Sequence, residues 1–126
     1  MKIGEVSKLT GLSVKSIRYY HDIGLVTALR GENGYREYEQ PQLDSLKFIN
    51  HCRELGFSLE DCRSLLQLKQ NNLRDAEDVK SLAKAHLKQV SGRIIKLQTL
   101  EAQLTNLVKS CHGGQQPDCA ILKGLS

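Results

Sequence analysis

No run of apolar residues in this chain approaches the ~18 that a membrane-spanning helix requires. The Met-Lys-Ile start also lacks the apolar core of a secretion signal. A cytoplasmic protein is therefore expected. There is no charged tail either. The net charge of +4 is divided evenly, because residues 1 to 53 hold 8 Lys/Arg against 6 Asp/Glu and residues 54 to 126 hold 10 against 8. Such a balance permits nucleic-acid binding, and only the local placement of the cations can decide. No Ser/His/Asp or paired-carboxylate constellation is apparent, so an enzyme is not expected. Four cysteines in a chain of this class read as thiols, ligands or core residues rather than as a disulfide framework.

What remains is a soluble globular composition, 40% hydrophobic and 25% charged over 126 residues. That length suits one ordinary domain, or a small domain with an extended oligomerisation element. Ile3, Val6 and Leu9 recur at helical spacing until Thr10-Gly11, after which Ser13 can cap a second helix from Val14 to about Asp22. Helix, Gly-containing turn and helix form a helix-turn-helix pattern. Val14 and Ile17 face inward, while Lys15, Arg18 and Tyr19, at i, i+3 and i+4, share the opposite face.

Gly24 closes this helix, Leu25-Val26 reads as extended, and Asn33-Gly34 signals a hairpin before Tyr35-Arg36-Glu37-Tyr38. A two-stranded wing with Arg30, Tyr35 and Arg36 near its tip or return strand suits a grip on phosphates. Gln40-Pro41 opens a third helix carrying Leu43, Leu46, Ile49 and Cys52, ending at Leu55-Gly56. Ser58 then caps a fourth, with Asp61 three residues on and Leu59, Cys62, Leu65 and Leu66 inward. This second helix pair is expected to complete a core that two short helices cannot supply. Cys52 and Cys62 are expected to be packing residues.

After a polar connector, an apolar pattern without proline runs from Val79 to about Ser110. A helix over 76–110 would be roughly 50 Å long. Counting in sevens, Ala83, Val90, Leu97, Leu104 and Cys111 share one position, with Leu100 and Leu107 on its partner. Burial of that seam against the same seam of another chain predicts a two-fold homodimer, which suits a palindromic operator in double-stranded promoter DNA. His86 interrupts the seam and is expected to be solvated or partly buried; His21 and His51 suggest no site.

The chain ends in Cys111-His-Gly-Gly-Gln-Gln-Pro-Asp-Cys119 followed by Ala120-Ile121-Leu122. Two thiols around a Gly- and Pro-punctuated loop at a helix end suggest a small metal or redox site. The domain division expected is 1–70 for the winged helix-turn-helix with its second helix pair, 71–110 for the connector and dimerisation helix, and 111–126 for the loop and short C-terminal helix. The fold class expected is mainly α.

This order of parts resembles the MerR family of metal- and stress-responsive transcription regulators. The resemblance rests on Ile3-Gly4-Glu5-Val6, Thr10-Gly11-Leu12-Ser13, Ile17-Arg18-Tyr19-Tyr20, Gly24-Leu25-Val26, Asn33-Gly34-Tyr35-Arg36 and Leu55-Gly56-Phe57-Ser58. The Cys-x7-Cys loop is similar to that of the copper-efflux branch, which senses Cu(I), Ag(I) and Au(I). The resemblance implies DNA contacts at Lys15 and Arg18, with Tyr19 and Tyr20 in the matching segment, phosphate contacts at Tyr35, Arg36 and Arg53, and metal thiolates at Cys111 and Cys119. It implies that Lys80 offsets charge near the metal, from the partner subunit. It further implies an antiparallel coiled-coil dimer that distorts promoter DNA for RNA polymerase when metal is captured. Ala76 stands where the divalent-metal branches carry a third cysteine.

Two soft thiolates suit a monovalent d10 ion, whereas Zn(II) wants about four ligands. Asp118 could cap the short C-terminal helix and position the Cys119 thiolate. Other readings stay open: a loop-closing disulfide or free thiols, a thiol redox or electrophile sensor, and Zn(II) recruiting His112, Asp118 or Asp75. A small-molecule sensor is disfavoured because fewer than 20 residues follow Ser110. A copper carrier would not need residues 1 to 70, and the winged helix-turn-helix argues against a bare coiled-coil module.

Overall fold

The computed structural model describes residues 1–27, 29–30, 36–117 and 119–126, with side-chain surroundings left out at 29, 30 and 36. The Asn33-Gly34 turn, Tyr35, the side chains of Arg30 and Arg36, and Asp118 lie outside the described residues. The elements run α1 (Ile3–Thr10), α2 (Val14–Asp22), β1 (Leu29–Arg30), β2 (Arg36–Glu37), α3 (Gln40–Glu54), α4 (Leu59–Gln70), α5 (Ala76–Ser110) and α6 (Ala120–Gly124). The chain forms two compact units, Met1–Leu82 and Ala83–Ser126.

In the first unit, α1 ends at Gly11, whose φ of +76° is the left-handed conformation that favours glycine. The turn that follows is held by side chains. Thr10 Oγ1 donates to the Val6 carbonyl and accepts from the Leu12 N–H, and Ser7 Oγ donates to the Leu12 carbonyl. Asn50 of α3 donates to the Thr10 carbonyl at 3.0 Å, so the third helix fixes the turn of the first pair. Ser13 caps α2 as expected, accepting from the Ser16 N–H at 3.0 Å. Ser58 does the same for α4 through the Asp61 N–H at 3.1 Å. At α3 the cap is a reciprocal box between Glu39 and Gln42, with proline in the first turn, where its missing N–H costs nothing.

Val6, Ile17, Leu46 and Ile49 are fully buried, so one inward residue or pair from each of α1, α2 and α3 meets at the centre. Tyr38 joins them at 1% exposure, anchoring the exit of the wing in the core. The wing is a short antiparallel pair with Leu29 opposite Glu37 and Arg30 opposite Arg36. Leu25 and Val26 differ from the extended reading. Both N–H groups turn back to the Tyr20 carbonyl, and both side chains are buried. Their apolar character belongs to the core, not to a strand.

A second core cluster holds Cys52, Phe57, Cys62 and Leu65, with Val79 and Leu82 packed against it. The first two turns of α5 thus belong to the N-terminal unit, which reaches past the boundary expected at 70. In the second unit α5 continues to Ser110 as a 35-residue helix, and α6 returns on its end. A Cβ added at Gly124 would stand 2.7 Å from Leu107 Cδ2, so α6 lies close on α5 and a side chain there would displace the Leu107 methyl. His86 is buried at 8% exposure, deeper than the solvated or partly buried position expected of it.

Candidate DNA-binding surface and thiol site

Helix α2 presents Lys15, Arg18 and Tyr19 on its exposed side, with Tyr19 half exposed, while Ile17 and Tyr20 point into the core. Helical spacing explains the division, because positions 17 and 20 lie one turn apart on the buried stripe. The two tyrosines divide in the same way. At 7% exposure Tyr20 is a packing residue of the first core, and Tyr19 carries the exposed phenol of the pair. Arg53 is exposed at the end of α3, and its guanidinium donates to the Phe57 carbonyl at 2.8 Å. That bond closes the α3–α4 turn and leaves other donors of the five-donor fork directed elsewhere.

Three contacts missed in the sequence orient this surface. The Tyr38 hydroxyl and His21 Nε2 lie 2.8 Å apart, with the rings edge to face, joining the last turn of α2 to the residue after β2. Arg63 of α4 donates to the Ile23 carbonyl at 2.7 Å and to the Gly24 carbonyl at 3.4 Å. Lys2 Nζ meets the Glu37 carboxylate at 2.6 Å, and that partner holds the carboxyl below the usual carboxylate range. The Asn50, Arg63 and His21 links each cross between elements 17 to 40 residues apart, which no local pattern announces.

The two outer cysteines are brought together at the other end of the chain. Cys111 follows the last turn of α5, and Cys119 is the residue before the first turn of α6. Gly113 and Gly114, at φ +74° and +87°, reverse the chain between them. The sulfurs of Cys111 and Cys119 lie 3.5 Å apart, both half-buried. The thiol of Cys119 is held below the ordinary thiol range, chiefly by the Leu122 N–H, then by Cys111 and by the Ile121 N–H. Both N–H groups belong to the first turn of α6, and an N–H directed at a sulfur favours its thiolate form.

A cleft of about 240 Å³ opens beside the pair, with His112, Gln116 and Lys123 among its lining. His112 is exposed. Among the described residues no group of three or more His, Cys, Asp or Glu is gathered that could hold a metal. With metal–thiolate bonds of about 2.3 Å, two sulfurs 3.5 Å apart could share one ion at a bent angle, and a linear arrangement would draw them apart toward ~4.6 Å. Lys80 is exposed at the start of the second turn of α5, within the N-terminal unit.

The inner cysteines behave oppositely. Burial pushes both thiols up, Cys62 to about 11. They are packing residues of the second core, as expected. No helix is long and apolar enough to cross a membrane among the described residues.

Residues 1–69 match the family described as MerR HTH family regulatory protein, and residues 43–107 match that described as MerR, DNA binding. Among relatives, the HTH-type transcriptional regulator HmrR of Rhizobium leguminosarum bv. viciae is 45% identical over 100% of this chain and 98% of its own. The HTH-type transcriptional regulator CueR of Salmonella typhimurium is 41% identical over 100% of this chain and 92% of its own. Among solved structures, the transcription regulator PbrR691 of Ralstonia metallidurans CH34, in complex with lead(II), superposes with a TM-score of 0.86. It is 33% identical and covers 100% of this chain and 99% of that one. With family matches over more than half its length and relatives aligned from end to end, the chain belongs to the MerR family of helix-turn-helix regulatory proteins.

Proposed function

We propose that this chain is a metal-responsive transcriptional regulator that senses a monovalent soft ion, Cu(I), Ag(I) or Au(I), through the thiolates of Cys111 and Cys119. The observation that carries this reading is the 3.5 Å approach of two half-buried sulfurs across a glycine-reversed loop. Thiolate is the ligand type that such ions prefer. Two of them satisfy a low coordination number, whereas Zn(II) would need about two more donors. The likeness to PbrR691, solved in complex with lead(II), and to relatives described as heavy metal-dependent transcription regulators supports a metal inducer.

Lys15, Arg18 and Tyr19 would enter or flank a groove of promoter DNA, with Tyr35, Arg36 and Arg53 on the phosphates. The exposed stripe of α5 would pair with that of a second chain, so that two α2 helices read a palindromic site. Lys80 would stand near the partner's thiolates. Metal capture would reorder the loop and α6, and the dimer would distort the spacer of a metal-efflux promoter into a form RNA polymerase accepts. In that scheme metal changes DNA shape more than DNA affinity.

The test is an anaerobic titration of the reduced chain with Cu(I) and with Zn(II) against a chelator of known strength. One tightly held Cu(I) per chain, lost in Cys111→Ser and unmatched by Zn(II), is expected. Preference for Zn(II), or Cu(I) binding indifferent to Cys111, would overturn the site. A second reading, thiol redox sensing, draws on the same short sulfur contact and the favoured Cys119 thiolate. It predicts a Cys111–Cys119 disulfide under mild oxidant that alone switches transcription, with no response to metal under reducing conditions.

A further inference from the structure

The proposed pair of thiolates poses a charge problem that depends on the ion. Two thiolates with a monovalent ion leave one net negative charge, whereas with a divalent ion they leave none. A half-buried cleft penalises the first arrangement unless a cation stands close by. Among the described residues lining the cleft, Lys123 carries the one ammonium group, and there is no carboxylate. Its backbone N–H donates to the Cys119 carbonyl at 3.2 Å, which stacks it one helical turn above that cysteine on α6. Side chains on a helix lean back toward the N-terminus, so the stem of residue 123 is directed over the turn that begins at Cys119. The neighbouring Gly124 lies close to Leu107 of α5, so the turn of α6 that carries residue 123 is packed against the end of the long helix.

We propose that Lys123 is a specificity-determining residue of the Cys111/Cys119 site, supplying from within the same chain the positive charge that favours a monovalent over a divalent ion. The inference rests on the two-thiolate reading above and deepens it. With a monovalent ion the ammonium offsets the residual negative charge. Facing a divalent ion it meets a neutral centre and adds no attraction, and during entry it repels the dication. The selection therefore comes from charge, where the two-donor set supplies selection by coordination number. Because Lys123 is exposed, water screens the interaction, and an effect of about threefold to tenfold on affinity is expected rather than the far larger value of a buried pair.

The experiment uses the full reduced chain, with Cu(I) as the monovalent probe and Hg(II) as a divalent probe that also accepts two thiolates. Wild type, Lys123→Gln, Lys123→Glu and Lys123→Arg are titrated anaerobically against chelators of known affinity, at low and at high salt. Lys123→Gln should weaken Cu(I) binding about threefold to tenfold and Lys123→Glu more, while Lys123→Arg stays near wild type. Hg(II) affinity should hold or rise in the first two variants, and the Cu(I) difference should shrink at high salt. Equal Cu(I) affinity in wild type and Lys123→Gln would overturn the proposal. So would equal losses for both ions, which would mark a structural role for the α6 turn. If instead Cu(I) binding survives in Cys111→Ser, the two-thiolate reading itself falls, a result distinct from any change at Lys123.

Discussion

At the scale of single residues, sequence pattern separated the four cysteines, and the structure supplies the reason. Cys52 and Cys62 sit on apolar helix stripes, and burial raises both thiols. Cys119 begins a helix, where N–H donors favour its thiolate. The thiolate is the nucleophile, so alkylation of the metal-free reduced chain at pH 8 should label Cys119 at least tenfold faster than Cys62. Mass spectrometry of a quenched iodoacetamide series would read this, and equal rates would contradict the burial argument. A stability prediction follows with its sign. The Cys62 thiol titrates near 11 in the folded chain, above its ordinary value of ~8.5. Its contribution is fully present below about pH 8.5 and is lost as pH rises through 11. Urea unfolding should show wild type losing stability between those limits faster than Cys62→Ala does. The neighbouring tyrosines were less legible. Tyr19 and Tyr20 are one chemical type side by side, and only the position of Ile17 on the same helix tells which one the core takes. Tyr20→Ala should cost about 3 kcal/mol of stability through the cavity it leaves, while Tyr19→Ala should leave the unfolding midpoint nearly unchanged.

At the scale of elements, α2, α3 and α4 were legible because each carries a start signal and an apolar period. Ser13 and Ser58 lie where the pattern begins and the structure uses both, while at α3 it adds a Glu39/Gln42 box to the expected Gln40-Pro41 start. What the sequence did not disclose is how the elements hold one another. Arg63 looks like a solvated cation of α4, yet it binds the carbonyls at the end of α2 from 40 residues away. Those carbonyls belong to the last turn and exit of the helix that carries Lys15 and Arg18. Arg63→Ala should therefore destabilise the chain by about 1–3 kcal/mol, the size of charge-assisted bonds lost from a partly buried site. Denaturant unfolding would measure it, and Arg63→Lys should recover less than half, since a single ammonium cannot reproduce a fork. A change under 0.5 kcal/mol in the alanine variant would mean that water replaces the guanidinium without loss. The wing was read only in part for a related reason. Leu25 and Val26 have strand-like side chains, but their backbone N–H groups are taken by Tyr20, so no ladder starts there.

At the scale of the whole molecule, the long helix was the most legible feature, because an apolar repeat sustained over 35 residues leaves few alternatives. Its end in the N-terminal unit was not legible, since Val79 falls on the heptad position of Leu100 and Leu107 and Leu82 continues the apolar pattern, yet both pack against the cluster that holds Cys62. Beyond Leu82 the apolar residues of α5 stand in solvent in the single chain, Leu97 at 63% exposure and Leu104 at 61%. Leu87, Ile94, Leu100 and Val108 continue the same exposed series. A folded chain does not leave so long an apolar stripe uncovered without a partner. Burying one leucine recovers roughly 1.5–3 kcal/mol, and a two-fold seam repeats each contact, so a few such residues outweigh the entropy of association. The wild type should then sediment at twice its 14.1 kDa mass at micromolar concentration. Leu97→Glu with Leu104→Glu places like charges where the seam closes, and this pair of substitutions should yield the single-chain mass. The N-terminal unit should keep its helical signal and unfolding transition, because neither residue touches its two cores. Operator affinity should fall by at least tenfold in the same variant, since two linked recognition helices become one. A wild type that sediments as a single chain, or a double variant that remains a dimer, would remove the seam from the account while leaving the helix-turn-helix assignment in place.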